Sequence, residues 1–530
     1  MKKGFPKKEN GSRQRESHPK KFELQVFLPQ YMAVFLIILP ALISALYIKL
    51  YGVNVCFWDQ WELVPLIKKL HNGSLAVTDL FAQHNEHRIF FPRLLMLLLS
   101  DLTRYNTKAE MYVGWLFLCL IAFVLWRVYK LCFGQHSPPP AFILISWLIF
   151  SLRQWENLLW GWQIQIFMSV FFFLLALYTL EKSKGLGFHF VVPVLSGTIS
   201  SFSFANGLFV WPIGFLQLLW QHKFRQETFK SNYAKRLLVW TAAGIIAYAI
   251  YFTGYTKPAQ HPSFFFFLHH PISSALYFLA AIGSPLAVEK YTAVAMGLLL
   301  LCLYTYMGLL AAKKTAAQSF LPLALILFAL LSAGILVLAR SGFGVEQAVS
   351  PRYTTITMLG VAGLYLLVLS ANLEGERKRF LLGALLSLIS LGVIASYLNG
   401  IKSGMDIRYI RRMDAYYLQT YRFQAGEQLK QLYPKPEIVK ERAQILEKYD
   451  LNVFSKPRLD PQRLAFTGHA TPFAIDTING RLPLGQGSHF VVSADQENTI
   501  TVTGWAVDGR AKDKAGGVFI NVDGRLDIPA

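Results

Sequence analysis

Charge is what this chain has least of, and acidic charge is the scarcer kind. Only 16% of its 530 residues are Asp, Glu, Lys or Arg, and 31 acids stand against 52 basic residues. A soluble domain carries about a quarter charged residues, so that class is excluded. Cysteine is nearly absent too. Cys56, Cys119, Cys132 and Cys302 lie in or beside apolar runs and share no spacing motif, which argues against a disulfide framework and against a cysteine metal site. No Gly-x-Gly-x-x-Gly follows a strand-like run and no Walker loop occurs, so a nucleotide site is not evident. A clear internal repeat, common in transporters, is missing as well.

What is abundant is apolar sequence, 54% of the chain. Runs that approach or exceed about 18 residues can cross a hydrocarbon core as helices, and they predict an all-α polytopic membrane bundle. Eleven spans are expected, at roughly 31–50, 111–131, 140–153, 163–180, 188–204, 207–221, 236–254, 290–311, 319–339, 353–372 and 379–398. The third, fifth and sixth are short enough to be tilted, broken or re-entrant. Residues 271–288 hold Pro and Gly and read as an interfacial helix. The net charge of +21 is spread through short loops, which argues against nucleic acid. Basic loops mark the cytoplasmic side. With the tail 1–30 inside, Arg127 and Lys130, Lys182 and Lys184, Lys223 to Arg236, Lys313 and Lys314, and Arg377 to Arg379 all share that side. The N-terminus is then cytoplasmic, and the large loop 51–110 and the C-terminal region lie outside.

The unusual polar residues collect on that outer side. Ionisable groups near a membrane are costly and mark function. Asp59 and Glu62 in "CFWDQWE" share a face on a helix and suit a general base or a metal; the plain alternative is a solvated turn anchored by Trp58 and Trp61. The cluster His84, Asn85, Glu86, His87 and Arg88 follows in "HNEHR". On a helix its histidines allow metal ligation, and the alternative is a hydrogen-bonded polar corner. Arg88 and Arg93 suit phosphate through paired hydrogen bonds, or an internal partner such as Glu86. "SLRQWENLLWGWQIQ" brings Arg153, Gln154, Glu156, Asn157, Gln163 and Gln165, and Asn206 lies between two short spans. Arg340, Glu346, Arg352 and Tyr353 bracket the last outer loop, where snorkelling to headgroups is the alternative. His261, His269 and His270 receive no role. Asp59, Glu62, the histidine cluster and Arg352 should converge.

"FWDQWE" after a first span, the long loop 51–110, "HNEHRIFFPRLL" and "SPRYTT" together resemble the GT-C class of membrane glycosyltransferases and uncharacterised bacterial proteins related to it. The resemblance covers residues 30–400. Members often carry adjacent acids or Asp-x-Asp, whereas Gln60 and Trp61 separate the acids here. The resemblance implies a polyprenyl-phosphate-sugar donor and a glycan, lipid or protein acceptor. It implies Asp59 and Glu62 as catalytic acids, with Asp59 accepting the hydroxyl proton and giving inversion. Arg88, Arg340 and Arg352 would bind the donor phosphate, while His84, Asn85, Glu86, His87, Glu156 and Tyr353 would line the pocket. It also implies a bacterial inner membrane. No cofactor is assigned, and a divalent metal stays open. A transporter or flippase of lipid-linked or anionic solutes, and a non-catalytic scaffold, are the competing readings.

After the last span the character changes. Residues 401–454 read as a charged helical connector broken at Pro434 and Pro436. From 455 to 530 short runs such as "TITVTGWAVD" suggest a small β-rich outer domain with few strands.

Overall fold

The computed structural model describes residues 29–455 except 136, 184, 226–229, 259–260, 314–318, 372–374, 423 and 425, and five short strands beyond them. The helices are α1 (Gln30–Tyr51), α2 (Val64–His71), α3 (Val77–Phe81), α4 (Phe90–Thr103), α5 (Thr107–Phe133), α6 (Pro140–Ile149), α7 (Trp155–Leu158), α8 (Ile164–Lys182), α9 (Phe188–Ser201) and α10 (Val210–Arg225). They continue as α11 (Lys230–Phe252), α12 (Phe266–His269), α13 (Pro271–Gly283), α14 (Lys290–Lys313), α15 (Leu321–Arg340), α16 (Val345–Ala348), α17 (Thr354–Ser370), α18 (Gly375–Gln419), α19 (Gly426–Lys430) and α20 (Pro436–Lys448). Short 3-10 turns join several of them, including Trp58–Leu63.

Among the described residues, eight helical segments are long and apolar enough to cross a membrane. They make the chain a multi-pass membrane protein. They correspond to eight of the eleven expected spans. The other three are helices too, but shorter: α6 has 10 residues, α9 has 14 and α10 has 16. At 1.5 Å per residue these reach about 15–24 Å, less than a bilayer core of about 30 Å. The interruptions are readable. Proline opens α6, where its missing N–H is not needed, and "SFSFAN" bends the chain between α9 and α10.

Two helices form the centre. In α17, 89% of the apolar stretch is buried, and in the segment that contains α8, 72%, against 28% in α1 and α14. A helix apolar all round belongs in a core or a membrane, and burial separates the two cases. Phe173 of α8 stacks on Phe328 of α15 with centroids 3.9 Å apart. A Cβ on Gly363 of α17 would lie 2.5 Å from the Pro322 carbonyl of α15, so only glycine allows that approach. The peripheral helices turn large side chains outward, as Phe35, Ile38, Leu42 and Leu46 do on α1. Amphipathic α4 does the same with Leu94, Leu98 and Leu102 while burying Arg93, Met96 and Leu97. Pro271 opens α13, which packs on the N-terminal part of α14 through Gly283 and Gly297. Its Ser274 and Tyr277 hydrogen-bond Ser341 and Gln347, beyond the last turn of α15.

The end of the bundle where α1 stops and α5 starts, the site end, carries residues 52–106. The last span does not finish near residue 398. α18 continues unbroken to Gln419, about 67 Å in all, so the first part of the expected connector is the same helix. Beyond 455, β1 (Phe473–Ile478) pairs antiparallel with β2 (Val502–Asp508), β2 with β3 (Asp513–Lys514), and β4 (Phe519–Val522) with β5 (Leu526–Pro529). The expected β-rich domain otherwise lies outside the described residues.

Candidate functional site

The acid turn comes first. Phe57 is extended and Trp58 sits at φ 47°, a left-handed position unusual for a tryptophan. Its N–H donates to the Leu432 carbonyl at 2.8 Å. The 3-10 turn that follows has three residues per turn, so Asp59 and Glu62 fall on one side of it. Their partners differ. Glu62 Oε1 accepts from Arg442 Nη1 and from the Tyr433 hydroxyl, each at 2.9 Å, and Arg442 also donates to the Trp61 carbonyl at 2.7 Å. Asp59 is half-buried, with the imidazole of His84 beside it, Nε2 to Oδ2 3.7 Å.

Much of what fixes this turn comes from the far end of the chain. Asn452, itself at φ 53°, accepts from the Cys56 N–H at 3.1 Å and donates to Asn54 at 3.0 Å and to the Tyr105 carbonyl at 2.9 Å. Behind the turn, Gln60 donates to Glu110 at 2.8 Å. Glu110 is buried at the start of α5, and its Oε1 has no partner among the described residues. A Cβ on Gly161 would lie 2.4 Å from Glu110 Oε2, so glycine makes room for that carboxyl. Glu110, Arg442, Tyr433 and Asn452 were absent from the expected site. The available signal was a lone acid opening an apolar span.

The histidine cluster is not helical. His84 and His87 exchange both backbone hydrogen bonds at 2.8 Å around a two-residue turn, with Asn85 at φ 49°. Asn tolerates that conformation. The turn points Glu86 inward. Glu86 pairs with Arg340, lies 3.5 Å from His87 Nε2, and offers its other oxygen, which accepts no hydrogen bond among the described residues, 3.6 Å from His261 Nδ1. Burial alone would raise the Glu86 carboxyl, but the charges of His87 and Arg340 outweigh it and hold it at about 2. Burial pushes the His87 imidazole down to about 4, and Arg340 acts in the same direction. Near neutral pH the turn therefore carries an anionic Glu86 and a neutral His87. His84 meets Trp162 edge to face at 5.1 Å, and His87 stacks on Phe204 at 4.1 Å. His269 and His270 stay exposed.

The arginines divide into two groups. Arg88 donates from Nε to the Tyr251 carbonyl at 2.6 Å, from Nη1 to Phe81 at 2.9 Å, and from Nη2 to Thr253. It is a strut that ties the loop to the end of α11, which corrects the expectation of a phosphate ligand. Arg93 holds the carbonyls of Leu80 and Ala82, and Arg153 those of Ser284, Ala287 and Val349. Arg340 and Arg352 instead face acids. Arg352 Nη1 is 3.8 Å from Glu156 Oε1, beyond hydrogen-bond reach, and its Nε has no hydrogen-bond partner among the described residues. Glu156 accepts from Ser350 at 3.2 Å, and Tyr353 lies against Arg352, within electrostatic range of Arg340. Asn157 pins this corner by donating to the Arg352 carbonyl at 3.0 Å and to Thr355 at 2.8 Å.

Asp59, His84, Glu86, His87, Arg340, Tyr353, Arg352 and Glu156 thus form a run of neighbours at the site end. Glu62 stands at its edge, and Arg88 is turned away. No cluster of three or more His, Cys, Asp or Glu side chains arranged for a metal is found among the described residues.

No family model matches the chain. An uncharacterised protein of Archaeoglobus fulgidus is 28% identical over 208 residues, 36% of this chain and 52% of that protein, so the chain spans about half the length of the curated relative it matches. Among solved structures, the archaeal oligosaccharyltransferase AglB from Archaeoglobus fulgidus, in complex with an inhibitory peptide and a dolichol-phosphate, is similar over 77% of this chain and 60% of that one, with a TM-score of 0.42 and 13% identity. The curated relative comes from an archaeon, and the bacterial membrane stays what the sequence resemblance implies.

Proposed function

We propose that this chain is a membrane glycosyltransferase that moves a sugar from a polyprenyl-phosphate donor to an acceptor hydroxyl at the site end, with inversion. The observation that carries this reading is the state of Asp59. Four acids lie between residues 52 and 89. Asp79 is taken by Lys69, Glu62 by Arg442 and Glu86 by Arg340. Asp59 accepts no hydrogen bond among the described residues, with the His84 imidazole 3.7 Å away and His87 and Tyr433 within electrostatic range. A carboxylate with open acceptor capacity beside an imidazole suits a general base.

In the proposed reaction the acceptor oxygen attacks the anomeric carbon as its proton passes to Asp59. The bond from that carbon to the phosphate oxygen breaks, and the electron pair leaves with polyprenyl phosphate. Arg352, which has unused donors, offsets the charge that grows on the phosphate. Arg340 reaches the same region while holding Glu86. The lipid tail enters sideways between helices, so the site belongs at the membrane surface. The acceptor is a glycan, lipid or protein hydroxyl, and the site end faces the cell exterior.

The test is transfer of radiolabelled sugar from polyprenyl-phosphate donors in membranes that carry the wild type or Asp59→Asn. Transfer by the wild type alone supports the reading. Full transfer by a folded Asp59→Asn protein removes Asp59 as the base. Solute flux in vesicles without transfer favours a transporter.

A further inference from the structure

The helical extension that follows the last span brings one more arginine to this site. Arg411 lies on the part of α18 that continues past the span. Its guanidinium carbon sits 3.1 Å from the centre of the Phe57 ring, two residues before Asp59, and its Nη1 donates to Asp414 at 2.7 Å. Asp414 is fully buried and fixes the orientation of the head. Nε and Nη2 of Arg411 make no hydrogen bond among the described residues, although the side chain is only 14% exposed. An arginine held by stacking and one carboxylate, with two donor nitrogens left over, differs from the strut Arg88, whose three nitrogens all donate to carbonyls.

Glu156 is the element common to the two open arginines. α18 packs against α7, which carries Glu156, and Phe57 meets Trp160, just past the end of α7, at 5.6 Å. Glu156 lies within electrostatic range of Arg411 and 3.8 Å from Arg352, yet neither arginine donates a hydrogen bond to it. Two guanidinium groups around one loosely held carboxylate is the arrangement expected when that carboxylate balances charge in place of a better anion. Arginine forks match a tetrahedral phosphate through paired donors.

We propose that Arg411 and Arg352 together form an anion site for the phosphate of a polyprenyl-phosphate lipid, with Glu156 balancing their charge when it is empty. The proposal deepens the transferase reading and rests on it for the identity of the ligand. It joins the C-terminal extension of α18 to the acid turn, since the same arginine that would hold the leaving phosphate stacks next to Asp59.

The experiment measures direct binding of sugar-free polyprenyl phosphate to the full chain in lipid nanodiscs, with polyprenol and inorganic phosphate as separate probes. Arg411→Ala and Arg352→Ala should each weaken binding about 10-fold or more, as loss of a charge-assisted bond does, and Arg411→Lys should fall between. Glu156→Gln should tighten binding several-fold, because it removes a competing negative charge. A gain of affinity does not arise from misfolding, so that variant keeps the test decisive if Arg411→Ala is unstable. Polyprenyl phosphate bound equally well by Arg411→Ala and wild type, or more weakly by Glu156→Gln, overturns the proposal, as does binding of polyprenol equal to that of its phosphate. Equal gain from inorganic phosphate alone moves the ligand to free phosphate and overturns the lipid assignment. Sugar transfer is measured alongside. Arginine-dependent binding without any transfer keeps the anion site and removes the transferase, whereas transfer by Arg411→Ala with an unchanged donor KM removes the anion site alone.

Discussion

The two sides of the site are held in different ways. The acid turn is pinned by direct hydrogen bonds of 2.7–3.1 Å, donated to it by Tyr433 and Arg442 and accepted from it by Leu432 and Asn452. The opposite side has one direct ion pair, Arg340 to Glu86, and around it ionisable groups at longer range. His87 and His261 stand 3.5 and 3.6 Å from Glu86, Arg352 stands 3.8 Å from Glu156, and Glu86 Oε2 and Arg352 Nε are buried without hydrogen bonds among the described residues. Buried polar groups are normally paired, and an unpaired one costs about 1–3 kcal/mol. The difference teaches which side is fixed in advance and which is free to re-pair. A base must be positioned before the substrate arrives, whereas a phosphate site gains from donors that still lack partners.

Asp59 should show the largest effect. Asp59→Asn keeps the shape and removes the proton acceptor, so transfer should fall by about 10²–10⁴-fold, the usual contribution of a general base, with thermal stability close to wild type. Arg352→Ala should come next. It should lower kcat/KM about 10–100-fold through lost charge-assisted bonds and leave melting little changed, since Arg352 Nε contributes no hydrogen bond to the fold. Arg88→Ala is the counterpart. It strands three carbonyls at the junction of loop and α11, so its main effect should be a loss of about 3 kcal/mol or more in stability, read as a lower melting temperature in detergent. If Arg88→Ala instead raised the donor KM in a stable protein, the division of the arginines would be wrong.

How much of this was legible in the sequence follows the range of the interactions. The long spans show because periodicity and length act within a helix, and the short ones at 140–149, 188–201 and 210–225 were readable as irregular. The gathering of polar residues at one end showed as composition. The direction each arginine points did not. Arg88 and Arg352 look alike in their own stretches, and only the carbonyls of Tyr251 and Thr253 or the carboxylate of Glu156 separate them. The role of residues 402–455 was hidden for the same reason. Asn452 reaches Cys56 across 396 positions and Tyr433 reaches Glu62 across 371, so no local pattern announces them. Nor did residue spacing reveal the turn at 84–87, since a histidine pair three apart fits a helix and a hairpin equally.

The middle of the range tests the pinned side. Arg442→Met removes the cation paired with Glu62 while the Tyr433 hydroxyl stays. Stability should fall by about 1–3 kcal/mol and kcat by less than 10-fold, because Asp59 keeps its own surroundings. Glu62→Gln retains an acceptor for Arg442 and should do less. If Glu62→Gln abolished transfer in a folded protein, the base would have to be Glu62, and the contrast between the two acids of the turn would collapse.

The smallest effect is a pH dependence of the loosely held side. His87 is pushed from 6.5 to about 4 by burial beside Arg340, so between those values the unfolded turn binds a proton that the folded turn refuses. Its contribution is complete above pH 6.5 and is lost as pH falls toward 4, by at most about 3 kcal/mol at 1.36 kcal/mol per unit. His261 is also lowered by burial, against Glu86 and with help from Arg340 and Lys257, and adds to the same loss. Glu86 is held at about 2 instead of 4.5, so its contribution persists above 4.5 and disappears only below it. Hydrogen-exchange protection across residues 81–91, corrected for the intrinsic rate at each pH, should therefore fall first between pH 6.5 and 4, and again below 4.5. His87→Gln with His261→Gln should erase the first step and leave the second. The backbone amides of Cys56 and Trp58, bonded to Asn452 and Leu432 instead of to titrating side chains, should show no step in the upper window. Equal acceleration on both sides would mean that the acid turn and the histidine turn open as one unit, and the contrast in how they are held would not extend to their dynamics.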